Sequence, residues 1–180
     1  KHNKFDIIVE PLENEIYQAI KDGELPEVRI RKKDKDIIEK LVKLGVESKE
    51  ANRYREIYRG NVMIDNTRGI VQIGEVIGMV MDAFEQAMND GPLAKDPGMK
   101  IKVRLMDCKL HEDAIHRGPA QVYPAVRDAV RGAMMNGGAS LYEPMQMLQI
   151  DCPNEFLGDI SSLVQNKRGQ LMNIDQEGEH

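Results

Sequence analysis

One stretch constrains the fold of this chain more than any other: residues 98–127, GMKIKVRLMDCKLHEDAIHRGPAQVYPAVR, which place an isolated histidine, His116, between a strand and a helix. The strand follows from alternation. Ile101, Val103, Leu105 and Asp107 fall on one side, and Lys102, Arg104 and Met106 on the other. Gly118 then supplies backbone freedom, and Pro119 and Pro124 sit where a first helical turn tolerates a missing N–H. Val126, Ala129, Val130, Ala133 and Met134 recur at three- and four-residue steps, so a helix comes next and stops at Asn136-Gly137-Gly138. The connection HEDAIHRG is polar except for Ala114 and Ile115, which is the composition of an exposed loop. Loops mounted on rigid elements are where function concentrates.

The rest of the chain supplies a body for that unit. Residues 5–9 read as a strand ending at Pro11, 14–21 as a short helix stopped by Gly23, and 34–44 as a helix ending at Gly45. Ser48 reads as an N-cap for a charged helix to about Arg55, followed by one strand over 57–64 and a turn at Asp65-Asn66-Thr67-Arg68-Gly69. The longest helix spans 72–89, where Ile73, Val76, Ile77, Val80, Met81, Phe84, Ala87 and Met88 trace a 3.6-residue stripe. After Gly138 the pattern restarts as a strand (145–151), a helix (154–166) and a strand (170–175). So small a β-α-β unit buries too little surface to be a stable domain alone. The methionines, Met79, Met81, Met88, Met134, Met135, Met145 and Met147 among them, read as core filling.

Charge restricts the partners. With 30 acidic and 25 basic residues the net charge is -5, so the whole chain is no basic glove for nucleic acid. Residues 98–131 depart from that average: Lys100, Lys102, Arg104, Lys109, Arg117, Arg127 and Arg131 face only Asp107, Glu112, Asp113 and Asp128. Such a face fits a phosphate-rich partner, or is merely solvated. Cys108 and Cys152 form no CxxC pair and read as reduced thiols. No apolar run reaches the length of a membrane span and no charged-then-apolar leader opens the chain, so a cytoplasmic location is expected.

Catalytic motifs are weak. His111-Glu112 and His116 suggest a zinc site, but the protease motif needs histidines four apart on a helix; five apart, they are rotated by about 140°. Asp113 and His116 could form an acid–base pair, yet no serine or cysteine sits in a nucleophile context. No GxxxxGK[ST] loop is present, so the chain by itself is not expected to bind a nucleoside triphosphate in the P-loop manner. The expectation is no catalytic residue, no metal and no cofactor.

Gly91-Pro92-Leu93-Ala94, Lys102-Val103-Arg104-Leu105 and the run from Leu110 through His111-Glu112-Asp113-Ala114-Ile115-His116-Arg117-Gly118-Pro119-Ala120 to Gln121 resemble domain IV of the elongation factor 2 family, the translocation GTPases of archaea and eukaryotes. Pro124-Ala125-Val126-Arg127 continues the likeness, Lys1-His2-Asn3-Lys4 looks like the end of the family's Ser-Pro-Asn-Lys-His-Asn motif, and Glu143 through Gly178 resembles the opening half of domain V. Gly-Pro-Ala before Gln121, where the eukaryotic form has three glycines, favours the archaeal type. Residues 24–56 contribute least.

The resemblance implies an α/β chain (α+β, two layers). Residues 1–138 would form a ribosomal-protein-like domain with a left-handed βαβ crossover, and 139–180 the first β-α-β half of a ferredoxin-like fold. It implies a non-enzymatic piece of a GTPase whose GTP and magnesium are bound elsewhere. His116 matches the histidine converted to diphthamide, a modification that adds a quaternary ammonium and an amide to the ring. Asp113, Ile115, Arg117 and Gly118, with Lys1, His2 and Asn3 in a neighbouring loop, would shape a tip that meets RNA. The implied partners are the ribosome, its rRNA and the tRNA–mRNA duplex of the decoding site, together with diphthamide-synthesis enzymes and ADP-ribosylating toxins. A free-standing RNA-binding or RNA-processing protein of the same fold is the alternative.

Overall fold

The computed structural model describes residues 3–175. They fall into two compact units, Lys1–Leu141 and Tyr142–His180, each described by itself.

The first unit is built on a four-stranded sheet of order β1-β4-β3-β2: β1 (Lys4–Pro11), β2 (Tyr54–Tyr58), β3 (Asn61–Asp65) and β4 (Ile101–Lys109). β1 pairs antiparallel with β4, β2 antiparallel with β3, and β3 parallel with β4. A parallel neighbour requires a crossover. It is made by α4 (Ile73–Asn89), whose apolar stripe Val76, Val80, Ala83, Phe84, Ala87 and Met88 is buried. α5 (Pro119–Asn136) lies beside it, presenting Val122, Val126, Val130 and Met134. These two helices enclose one core with Phe5, Met63, Val103 and Leu105 of the sheet.

The opposite face is also covered. α1 (Asn14–Lys21), α2 (Lys35–Lys43) and α3 (Ser48–Ala51) bury Ile16, Ile20, Leu41 and Ala51 against Tyr54, Ile57, Val62 and Ile64. Thus β3 is buried at every residue, as a strand between two helical layers must be. The two-layer arrangement expected from sequence gains a third layer over β2 and β3, supplied by residues 12–51.

Three local differences have physical causes. The single strand expected over 57–64 is a hairpin, because Arg59 and Gly60 both take positive φ (47° and 73°), the backbone of a tight two-residue turn. The charged helix expected from Ser48 to Arg55 stops at Ala51, and Tyr54 already opens β2. In α5 the helix starts at Pro119 and runs through Pro124, longer than the pattern of apolar residues alone suggests.

The second unit contains a 3₁₀ turn (Asn154–Phe156) leading into α6 (Leu157–Asn166). The flanking strands expected at 145–151 and 170–175 are not formed; they pair with nothing among the described residues, and a strand without a ladder is not a strand. Met147, Leu148, Leu163 and Met172 remain exposed there.

Candidate functional site

The 111–118 loop is positioned by a kink in β4. Register between β1 and β4 slips between Asp6 and Ile7, so that Asp6 faces Asp107 while Ile7 already faces Leu105. Met106 is the extra residue. Alternation therefore resets: Leu105 and Cys108 both point into the core, and Asp107, expected on the core side, is exposed. Such bulges twist the strand end and re-aim the residues beyond it. Burial pushes the Cys108 thiol up to about 11, consistent with an inert core thiol.

Past the bulge the chain turns through Asp113 into a 3₁₀ turn, Ala114–His116, and enters α5 at Gly118-Pro119. Asn3 clasps this loop from just before β1. Its side-chain amide donates to the His116 carbonyl at 2.7 Å, and its oxygen accepts the His111 N–H at 2.9 Å. The His111 and His116 rings meet edge to face, centroids 4.6 Å apart. Ile115 projects outward, 80% exposed, and the Asp113 side chain is also exposed. Lys1 and His2 lie outside the described residues.

Arg117 differs from its sequence expectation. It is 8% exposed, with its guanidinium turned under the loop instead of out to a partner. Nη1 donates to the carbonyls of His111 (2.7 Å) and Glu112 (2.5 Å), while Nη2 pairs with Glu75 of α4 at 2.8 Å. The side chain is a brace that ties three elements together. Gly118 likewise needs no special freedom: its φ is -79°, ordinary extended backbone, and an added Cβ would meet only the Gln121 side chain at 3.4 Å.

Part of the positive face expected over 98–131 is consumed inside the fold. Lys102 is buried and paired with Glu13, and Arg104 is paired with Glu10 at 2.9 Å and with Glu50. Burial opposes ionisation of Glu13, but the Lys102 ammonium bonded to it prevails and holds its carboxyl below the ordinary value. Sequence shows the charges; only the tertiary pairing shows which of them stay open to a partner.

The loop also brings together side chains that a helix would hold apart. Ligand atoms of His111, Asp113 and His116 converge to within 4.8 Å of one another, although their spacing is wrong for a helical metal site. Nδ1 of His111 accepts the Asp113 N–H at 3.0 Å, so ligation through that nitrogen would break the bond that shapes the loop. The geometry fits a hydrogen-bonded tip better than a metal centre.

α4 and α5 both begin at this end. The pairs Glu75–Arg117, Asp82–Tyr123 and Gln86–Arg127 advance together along the two helices, which therefore run parallel. Their positive dipole ends accompany the tip.

Comparison with known proteins places this geometry. The family described as elongation factor G, domain IV, matches residues 25–138, and the elongation factor G C-terminus matches 140–180. Elongation factor 2 of Pyrococcus furiosus is 50% identical over 179 residues, 99% of this chain and 24% of that protein. Elongation factor 2 of Thermococcus kodakarensis is 51% identical over the same coverage. The chain spans about a quarter of the length of these curated relatives. With a strand, tip loop and helix of this kind inside the matched region, the chain belongs to the elongation factor G domain IV family, followed by that family's C-terminal module.

Proposed function

We propose that this chain is the domain IV portion, with the start of domain V, of an archaeal-type elongation factor 2. In the intact factor a GTPase domain supplies the energy, with GTP and magnesium bound there, and this portion enters the decoding site of the ribosome during translocation. The 1–138 and 139–180 regions serve as the two modules.

One observation carries the proposal most of all: the loop holding His116 is rigidly mounted, clasped by Asn3 and braced by Arg117 at the end where two parallel helices begin. A tip fixed in this way suits reaching into an RNA duplex, where backbone and 2′-hydroxyls are read more than sequence. His116 is the residue converted to diphthamide, adding a fixed positive charge and an amide that can meet the codon–anticodon backbone. Asp113 and Ile115 shape the approach, and Asn3 acts behind the tip; Lys1 and His2 belong to the adjoining loop. Diphthamide-synthesis enzymes and ADP-ribosylating toxins act on His116 as a substrate. The chain itself performs no chemistry. The factor works in the cytoplasm, beside the ribosome. Among the described residues no helix is long and apolar enough to cross a membrane.

Peptide mass spectrometry of the intact factor from its native host tests the modification. The diphthamide increment is expected on the peptide containing His116; an unmodified histidine there refutes that assignment. Translocation by reconstituted factor carrying His116→Ala tests the tip role, and an unaltered translocation rate and reading-frame fidelity would overturn it.

A further inference from the structure

Far from the tip, where α4 ends, an open cleft of about 580 Å³ lies between the end of that helix, the following loop and α5. Lys95, Arg127 and Arg131 line it against a single carboxylate, that of Asp90. These cations have not been spent in the way that Lys102 and Arg104 have. Arg127 donates one Nη1 bond to the neutral Gln86, and its Nε, buried against the protein, meets no acceptor among the described residues. Arg131 donates its Nε to the Asp90 carbonyl at 3.0 Å, which already offsets the negative end of α4.

The loop that forms the far wall is held in an uncommon conformation. Ala94 and Lys95 both take positive φ (49° and 59°), a backbone that residues with side chains rarely adopt. Gly91 closes the same turn: its N–H donates to the Asp96 carbonyl at 3.0 Å, and a Cβ there would lie 2.4 Å from that oxygen. The turn brings the exposed Lys95 to the cleft opposite the two arginines.

We propose that this cleft is a second nucleic-acid contact, binding the ribose-phosphate backbone of RNA independently of the tip loop. The cleft is open and its lining includes no aromatic residue to stack on a base, which suits backbone rather than base recognition. Arg127 and Arg131 stand one helical turn apart, about 5–6 Å between Cβ atoms, so they present charge along a line as a polyanion requires. Arginine forks match phosphate oxygens, and both Arg127 and Arg131 line the cleft.

The test uses the 180-residue chain and a short A-form RNA hairpin. Binding is followed by fluorescence anisotropy over a salt series, with Lys95→Glu and Arg131→Gln beside the parent. Each variant should weaken binding about threefold or more, and each cation removed should reduce the log–log salt slope by about 0.7–0.9. In parallel, the Arg127 Nε–Hε NMR resonance should shift when RNA is added, because phosphate approaches its guanidinium, while the same titration with inorganic phosphate should leave it unsaturated at millimolar concentration. Unchanged affinity and slope in both variants overturn the proposal. So does an Arg127 resonance that saturates with inorganic phosphate but ignores RNA, which would make this a small-anion site. Because His116→Ala leaves the cleft intact, loss of the Arg127 shift in that variant would also refute the claimed independence from the tip.

Discussion

Replacing Arg117 by methionine separates two roles that the same residue could play. Methionine keeps much of the apolar stem and removes every donor. Two bonds from Nη1, to the carbonyls of His111 and Glu112, are lost together with the ion pair to Glu75. Hydrogen bonds made by a charged group contribute about 1.5–3 kcal/mol each. The Glu75 side chain is 61% exposed, so it rehydrates and its pair adds no more than about 1 kcal/mol. The carbonyls lie in a loop that water can partly reach, which reduces the sum, and a net loss of about 2–4 kcal/mol is expected.

The loss should be local before it is global. Hydrogen exchange of amides 111–118 should accelerate strongly, and the urea midpoint of the first unit, followed by circular dichroism, should fall. Arg117→Lys should recover only part of the loss, since a single ammonium cannot span two carbonyls and a carboxylate as a planar fork does. The reasoning is refuted if Arg117→Met leaves loop exchange and the urea midpoint unchanged while lowering the salt slope of RNA binding. That pair of results would put the guanidinium on phosphate and not under the loop.

Two further substitutions probe the body. Burial, with the adjacent Glu85 carboxylate, pushes Glu56 up to about 9 from 4.5. Between those values the unfolded chain releases a proton that the folded one keeps, so stability falls as pH rises through that window and levels off above it. Glu56→Gln should therefore be more stable than the parent at about pH 8, on the order of 2 kcal/mol, with the gap closing toward about pH 5; urea midpoints at both pH values check this. Gly91→Ala, with its Cβ 2.4 Å from the Asp96 carbonyl, must displace backbone and should cost about 1–3 kcal/mol in thermal or urea unfolding.

Legibility in the sequence tracks the range of the interactions involved. The helices at 14–21 and 73–89 are readable because an amphipathic stripe is local and repeats. The β2–β3 hairpin is not, since its turn residues, Arg59 and Gly60, carry a weaker signal than Asn-Gly and lie inside an apolar run. The bulge at Met106 is invisible for a related reason: nothing within β4 shows that β1 pairs with it one residue out of step, so alternation alone puts Asp107 and Cys108 on the wrong faces. The segments at 145–151 and 170–175 have the pattern of strands but no pairing partner among the described residues. At the site, sequence supplies the identity of His116 and its loop. It misses the inward turn of Arg117 and the double clasp of Asn3, whose partners lie 42 and more than a hundred residues away.

Those distant contacts also explain what a charged brace at the tip adds beyond the stability of its hydrogen bonds. The half-open Arg117–Glu75 pair adds little net stability by itself, and a better-attested use of such specific polar pairs is to select one register. α4 and α5 meet along stripes of valine, alanine, phenylalanine and methionine, which would also pack after sliding by one turn, about 5.4 Å. Most polar rungs tolerate that slide. Arg127, now bonded to Gln86, would find Asp90 in one direction and Asp82 in the other. Arg117 would not: in place of Glu75 it would face Met79 or, beyond the helix, Val71. Tyr123, now bonded to Asp82, would find Gln86 in one direction but Gly78 in the other, so the rung beside the loop is the one that rejects both slides, and it also holds the carbonyls of His111 and Glu112. The residue that fixes how far α5 extends therefore fixes where His116 stands.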